Sequence, residues 1–163
     1  MVSAKILRCA GLSGVLLVAA GCEAMGARDT AYAPAIDPKD FSATIDNPYY
    51  PLVPGTTFKY LEKSRFETID TVVTVTHETK RILGVECVVV HDVASIDGRV
   101  TEDTYDWLAQ RKDGSVWYFG EFTREISPGG RVSTLGSWEA GVDGARPGIM
   151  MQAAPRPGDP YRQ

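Results

Sequence analysis

Histidine and cysteine are scarce in this 163-residue chain, which has two of the first and three of the second. His77 and His91 fall in no H-x-x-x-H or H-E-x-x-H spacing, so paired imidazoles for zinc are excluded. His91 and Asp92 are neighbours, and on a strand neighbours point to opposite faces, so they form no dyad with each other. Basic residues are also in deficit, 17 against 21 acidic ones, and they are scattered rather than clustered, which argues against a nucleic-acid partner. No apolar run approaches the roughly 20 residues that a membrane-spanning helix needs. Gly136-x4-Gly141 begins like a phosphate-binding loop, but Val142-Asp143 stands where Lys-Ser/Thr is required, and Gly136-Ser137-Trp138 is no nucleophile elbow. After residue 22 no segment carries a helical period. Nothing points to a cofactor.

What the chain does have begins at its start. Lys5 and Arg8 precede an apolar stretch over residues 10–20, and Ala19-Ala20-Gly21-Cys22 closes it. This pattern resembles the signal of bacterial lipoproteins. The resemblance implies cleavage before Cys22, a diacylglyceryl thioether on its sulfur and an acylated amine, each buried CH₂ contributing about 0.8 kcal/mol to anchoring. The expected location is the bacterial cell membrane or outer membrane, and Glu23 after the cysteine leaves the choice between them open.

Removal of the signal takes Cys9, Lys5 and Arg8 with it, leaving 15 basic against 21 acidic side chains, a net charge of −6. With Cys22 lipidated, Cys87 is the one free thiol and no intramolecular disulfide forms. It lies in the β-branched run Val85-Glu86-Cys87-Val88-Val89-Val90 and reads as a small buried hydrophobe. The division is then 1–21 signal, 22–46 lipidated cysteine and flexible tether, and 47–163 the folded domain. A tether of this composition reaches roughly 25 to 30 Å.

The domain reads as a succession of strands. Asn47-Pro48-Tyr49-Tyr50-Pro51-Leu52-Val53-Pro54-Gly55 is a turn-rich entry whose prolines forbid helix. Thr56 to Lys63 alternates, with Phe58 and Tyr60 on one face. Glu67 to Arg81 and Val85 to Ile96 are rich in Thr, Val and Ile, with Ile82-Leu83-Gly84 turning one into the other. Asp97-Gly98 and Asp113-Gly114 predict type I′ hairpins, joining Val85–Ile96 to Arg99–Gln110 and that strand to Ser115–Glu121. Pro128-Gly129-Gly130 predicts a further turn between Thr123–Ser127 and Arg131–Leu135. The fold class is therefore all-β, an antiparallel up-and-down meander. Its long strands predict a strongly curved sheet, a half-barrel or open barrel, with Tyr105, Trp107, Trp117 and Phe119 on the concave face.

Two candidate sites follow. The aromatic face, with Trp138 and Arg146 from the glycine-rich segment 136–148, would bind an apolar ligand or a protein partner. That segment reads as an Ω-type loop, with Trp138, Ile149 and Met150 plugging the open end of the sheet. The alternative is a hydrolase or metal-dependent enzyme using the carboxylates Glu102, Asp106 and Glu121 beside the same loop. Glu102, Thr104 and Asp106 alternate with Tyr105 and Trp107, as any strand with one solvated face does, so the simpler expectation for them is a solvated outer face.

The segments Asn47 to Tyr60, Gly84-Val85-Glu86-Cys87, Asp113 to Glu121 and Gly136 to Ala145 together resemble a set of uncharacterised secreted and lipid-anchored bacterial proteins. The resemblance covers roughly residues 47–163, with Phe58 where relatives have Trp. It implies an envelope lipoprotein and carries over no catalytic residue. Such relatives continue past Tyr161-Arg162-Gln163, which implies a sheet short of its C-terminal strands, with an open edge.

Overall fold

Strand-forming sequence and tight turns set the architecture that the computed structural model describes for residues 32–161. The signal, Cys22 and the first part of the tether lie outside the described residues. The elements are a 3-10 turn at Pro38–Asp40 and nine strands: β1 Phe41–Ser42, β2 Thr57–Lys63, β3 Thr68–Ile82, β4 Val85–Ile96, β5 Arg99–Arg111, β6 Val116–Ile126, β7 Val132–Ser133, β8 Trp138–Glu139 and β9 Gly148–Met151. They form one antiparallel sheet in the order β2-β3-β4-β5-β6-β7, and it does not close on itself. There is no α-helix among the described residues.

Turn chemistry fixes the meander. Leu83-Gly84 and Asp97-Gly98 have φ of 49° and 81°, and 49° and 78°, so both are two-residue turns of the type whose twist matches the strands. The Asp113-Gly114 turn differs from the expectation. Gly114 N–H donates to the Arg111 carbonyl and Arg111 N–H to Ser115, and only Gly114 has positive φ. It is a three-residue hairpin, a type I turn followed by a glycine bulge, and Ser127–Arg131 repeats the pattern. Asp113 stays there because its carboxylate accepts from both the backbone and the hydroxyl of Ser115, whose oxygen in turn accepts from the Trp117 indole.

Three corrections to the sequence reading matter for function. First, residues 36–46 belong to the domain rather than to a tether: β1 pairs with β5, Phe41 stands edge-on to Phe119 at 5.4 Å, and Ile45 is buried. Large apolar residues at 36, 41 and 45 are what dock this stretch. Second, the strands expected on either side of Phe122 are one strand, β6. Third, the face carrying Thr104 and Asp106 is not solvated. The 43–55 segment covers it, and Met150 and Met151 of β9, alongside β6, pack in from the edge, making a second core of Ile45, Leu52, Val75, Val88, Val90, Leu108 and Val116. The first core, on the opposite face, holds Ile82, Val85, Cys87, Val89, Trp107, Ala109, Trp117 and Phe119.

Asn47 ties the covering segment down. Its amide donates to the carbonyls of Gly114 and Gln152 at 2.8 and 3.1 Å, and its carbonyl accepts from the N–H groups of Tyr49 and Tyr50. A buried polar side chain with every bond made holds three separate pieces of backbone together.

Candidate functional site

One glycine organises the site. Asp106 faces Glu121 and Trp107 faces Gly120, but the next pair is Leu108 with Tyr118, so Phe119 and Gly120 together oppose a single residue. Gly120, at φ 137°, is part of this bulge. The extra residue lets Tyr118 and Glu121, three apart on a strand, share a face. It also brings β8 alongside, with Gly120 opposite Glu139 and Glu121 opposite Trp138.

Beside this bulge lies a shallow open groove of about 700 Å³, on the face of the first core. Tyr105, Trp107, Phe122 and Trp138 supply its aromatic walls, and Val89 and Val142 add aliphatic surface. Lys80 from β3 enters it. Its ammonium lies 3.3 Å from the centroid of the Trp107 ring and 2.7 Å from the Glu139 carboxylate, a cation–π contact and an ion pair at once. Glu78 also lines the groove, and Glu121 borders it with its carboxylate turned to Tyr118 on the other face.

On the covered face, Tyr118 stands between two acids. Its hydroxyl oxygen is 2.5 Å from Asp106 and 2.7 Å from Glu121. A phenol carries one hydrogen, so it donates to only one of them, and the other contact requires a protonated carboxyl donating to the phenol oxygen. Asp106 is the natural holder of that proton. Burial pushes its carboxyl up to about 7 and the charges of Glu121, Asp92 and Glu102 add to this, while the Tyr118 bond pulls the other way. Burial likewise raises Glu121, and it raises Tyr118 far beyond the physiological range. From the covering segment Tyr50 faces the cluster, its own ionisation suppressed by burial and by Asp106.

Asp106 holds its proton more tightly when folded than in the unfolded chain, where a carboxyl sits near 3.9. Its contribution to stability is therefore full below that value and is lost as pH rises toward 7. We expect the cluster to make the fold less stable at pH 7.5 than at pH 5, by up to about 1.4 kcal/mol per pH unit within the window. Carbon-13 NMR of the aspartate carboxyls tests it; a midpoint for Asp106 near 4 would show that the proton is not shared as described.

His91 is paired after all, across strands rather than along one. Its Nε2 is 2.9 Å from Asp103, the Arg124 guanidinium donates to the other oxygen of that carboxylate, and the ring stacks on Tyr105 with centroids 4.4 Å apart. Burial alone would raise Asp103, but the His91 bond and the Arg124 charge outweigh it and hold the carboxyl below its usual range. This triplet fixes the plane of Tyr105 at the rim of the groove.

The expected site residues are thus divided. Tyr105, Trp107 and Trp138 come together in the groove. Trp117 and Phe119 share their face but lie in the closed part of the core, beneath Phe41. Arg146 is exposed and does not line the groove. The 136–148 segment is not a loop throughout, since β8 and the start of β9 pair with β6 within it. The plug expected from it is split between the two faces: Trp138 and Ile149 pack on the first core and Met150 on the second.

Of the carboxylates, Asp106 and Glu121 meet at Tyr118, whereas Glu102 lies opposite Glu125 and accepts a hydrogen bond from Thr104. Among the described residues no three His, Cys, Asp or Glu side chains form a group that could hold a metal ion. Cys87 is fully buried, and burial pushes its thiol up to about 12, so it is no nucleophile at neutral pH. Lys80, Glu139 and Tyr118 were not legible as site residues. The one available signal was Lys80 opposite Cys87 in the β3–β4 hairpin, which places its side chain on the Trp107 face. Comparison with known proteins finds no matching family model, no matching curated protein and no matching solved structure.

Proposed function

We propose that this chain is a bacterial envelope lipoprotein, held at the membrane by acylated Cys22, whose β domain works by contact and binds an apolar ligand or a protein partner in the Trp107 groove. The observation that carries this reading is an open groove with four aromatic side chains in its walls. Concave aromatic surface with a few convergent polar groups is the usual make-up of a binding site. The carboxylates offer less to a hydrolase or metal enzyme, because Asp106 and Glu121 are engaged with Tyr118 and Glu102 is turned to Thr104.

Two measurements test the reading together. Palmitate labelling in a bacterial host is expected to mark the chain and to disappear in Cys22→Ala, with the protein moving from the membrane to the soluble fraction. Mass spectrometry of small molecules or proteins recovered with the mature chain is expected to find a bound species that is lost in the double variant Tyr105→Ala, Trp138→Ala. Persistence of every recovered species in that variant would sink the assignment of the groove.

A further inference from the structure

The charges in the groove are unbalanced. Glu78 and Glu139 contribute two carboxylates against the single ammonium of Lys80, the Glu121 carboxylate being taken up by Tyr118 on the other face. That ammonium is already committed, 2.7 Å from Glu139 and 3.3 Å from the centre of the Trp107 ring. An aromatic face combined with a carboxylate is the chemistry that recognises ammonium groups, since the ring quadrupole and the negative charge both attract the cation. Lys80 shows where such a charge sits, and the exposed Phe122 together with Tyr105 and Trp138 offers apolar contact for whatever the charge is attached to. The chain as a whole carries net negative charge, which draws cations toward it.

We propose that the groove selects organic cations with an apolar body, an alkylammonium being the simplest, and that Lys80 occupies the seat the ligand's charge would take. This rests on the groove being the binding surface. Two consequences separate the inference from a general affinity for apolar molecules. A neutral or anionic ligand of the same length gains nothing from the carboxylates. Removing Lys80 both frees the Trp107 face and leaves Glu139 without its partner, so it strengthens binding of a cation while doing little for a neutral chain.

The experiment uses the full-length chain carrying Cys22→Ser, which leaves every groove residue in place. Hexyltrimethylammonium, hexanol and hexyl sulfate are each titrated by calorimetry and by tryptophan fluorescence. The cation is expected to bind about tenfold more tightly than either comparison compound, and Lys80→Met to strengthen it by about tenfold more while changing hexanol less than about twofold. Glu78→Gln, at an exposed position that leaves packing alone, is expected to narrow the preference and serves where Lys80→Met alters the fold. Equal or tighter binding of hexanol or hexyl sulfate would overturn the cation inference and leave the groove reading standing. Failure of all three compounds to bind either the Cys22→Ser chain or its Lys80→Met variant would overturn the cation inference, and with it an apolar small molecule as the occupant of the groove.

Discussion

Phe119→Ala is expected to lower stability by about 3–5 kcal/mol, the range found when a fully buried phenylalanine is truncated in a packed core. Phe119 has no exposed surface and is the largest fully buried side chain among the described residues. Phe41 stands edge-on to it at 5.4 Å, and Trp117, Trp107 and Val89 belong to the same cluster. The docked segment 36–46 reaches the sheet largely through Phe41, so the void would loosen that segment as well as remove contact area. Thermal unfolding should shift downward on the order of 10–20 °C for a domain of this size. A shift of only a degree or two would mean that Phe119 is not in the closed core. Phe119→Leu, which keeps most of the volume, should recover much of the loss.

Gly120→Ala is expected to be nearly as damaging, and for a different reason. A Cβ there would lie 2.3 Å from the Trp138 carbonyl oxygen and 2.9 Å from the Glu139 Cα, both backbone atoms of the adjoining strand. Rotating a side chain relieves neither clash, so β8 must move away from β6. The φ of 137° adds backbone strain of about 1–3 kcal/mol for any residue with a side chain. Because β8 carries Trp138 and Glu139, the displacement removes one wall of the groove and the partner of Lys80. Amide hydrogen exchange should show lost protection at Ala140, whose N–H donates to the Phe119 carbonyl across this junction. Unchanged protection there, together with an unchanged melting temperature, would refute the bulge as the organiser of the site.

These two neighbours show what chain patterning could and could not reveal. Phe119 as a core residue was readable, because Trp117 and Phe119 alternate in a strand that follows a hairpin turn. The bulge at Gly120 was not, since one extra residue in a ladder leaves no periodic trace over so short a stretch. Its effect is large. Continuing the register of Leu108 with Tyr118 without interruption would put Asp106 opposite Gly120 and Glu121 opposite Tyr105, and the pair of acids around Tyr118 would not exist.

The same lesson applies to His91. The Asp97-Gly98 turn sets Ile96 against Arg99 and Ser95 against Val100, and uninterrupted pairing from there would place His91 opposite Thr104, on the covered face. A bulge between Ala94 and Ser95 shifts the ladder by one, so His91 meets Tyr105 and reaches Asp103 instead. A one-residue slip turns a side chain to the other face of the sheet. Neighbours in sequence, His91 and Asp92, were therefore the wrong pair to weigh, and the right one came from the adjacent strand.

By itself, the sequence settled the antiparallel meander of the long strands β2 to β6 and the places where they turn, because alternation and Asp-Gly or Leu-Gly turn chemistry act over a few residues and depend on nothing distant. Tertiary structure alone decided which faces are covered, that residues 36–46 join the sheet, and which side chains meet in the groove and around Tyr118. Those outcomes depend on bulges and on segments folding back from far along the chain. Pairing between strands is read across the sheet, where a single inserted residue changes every contact beyond it.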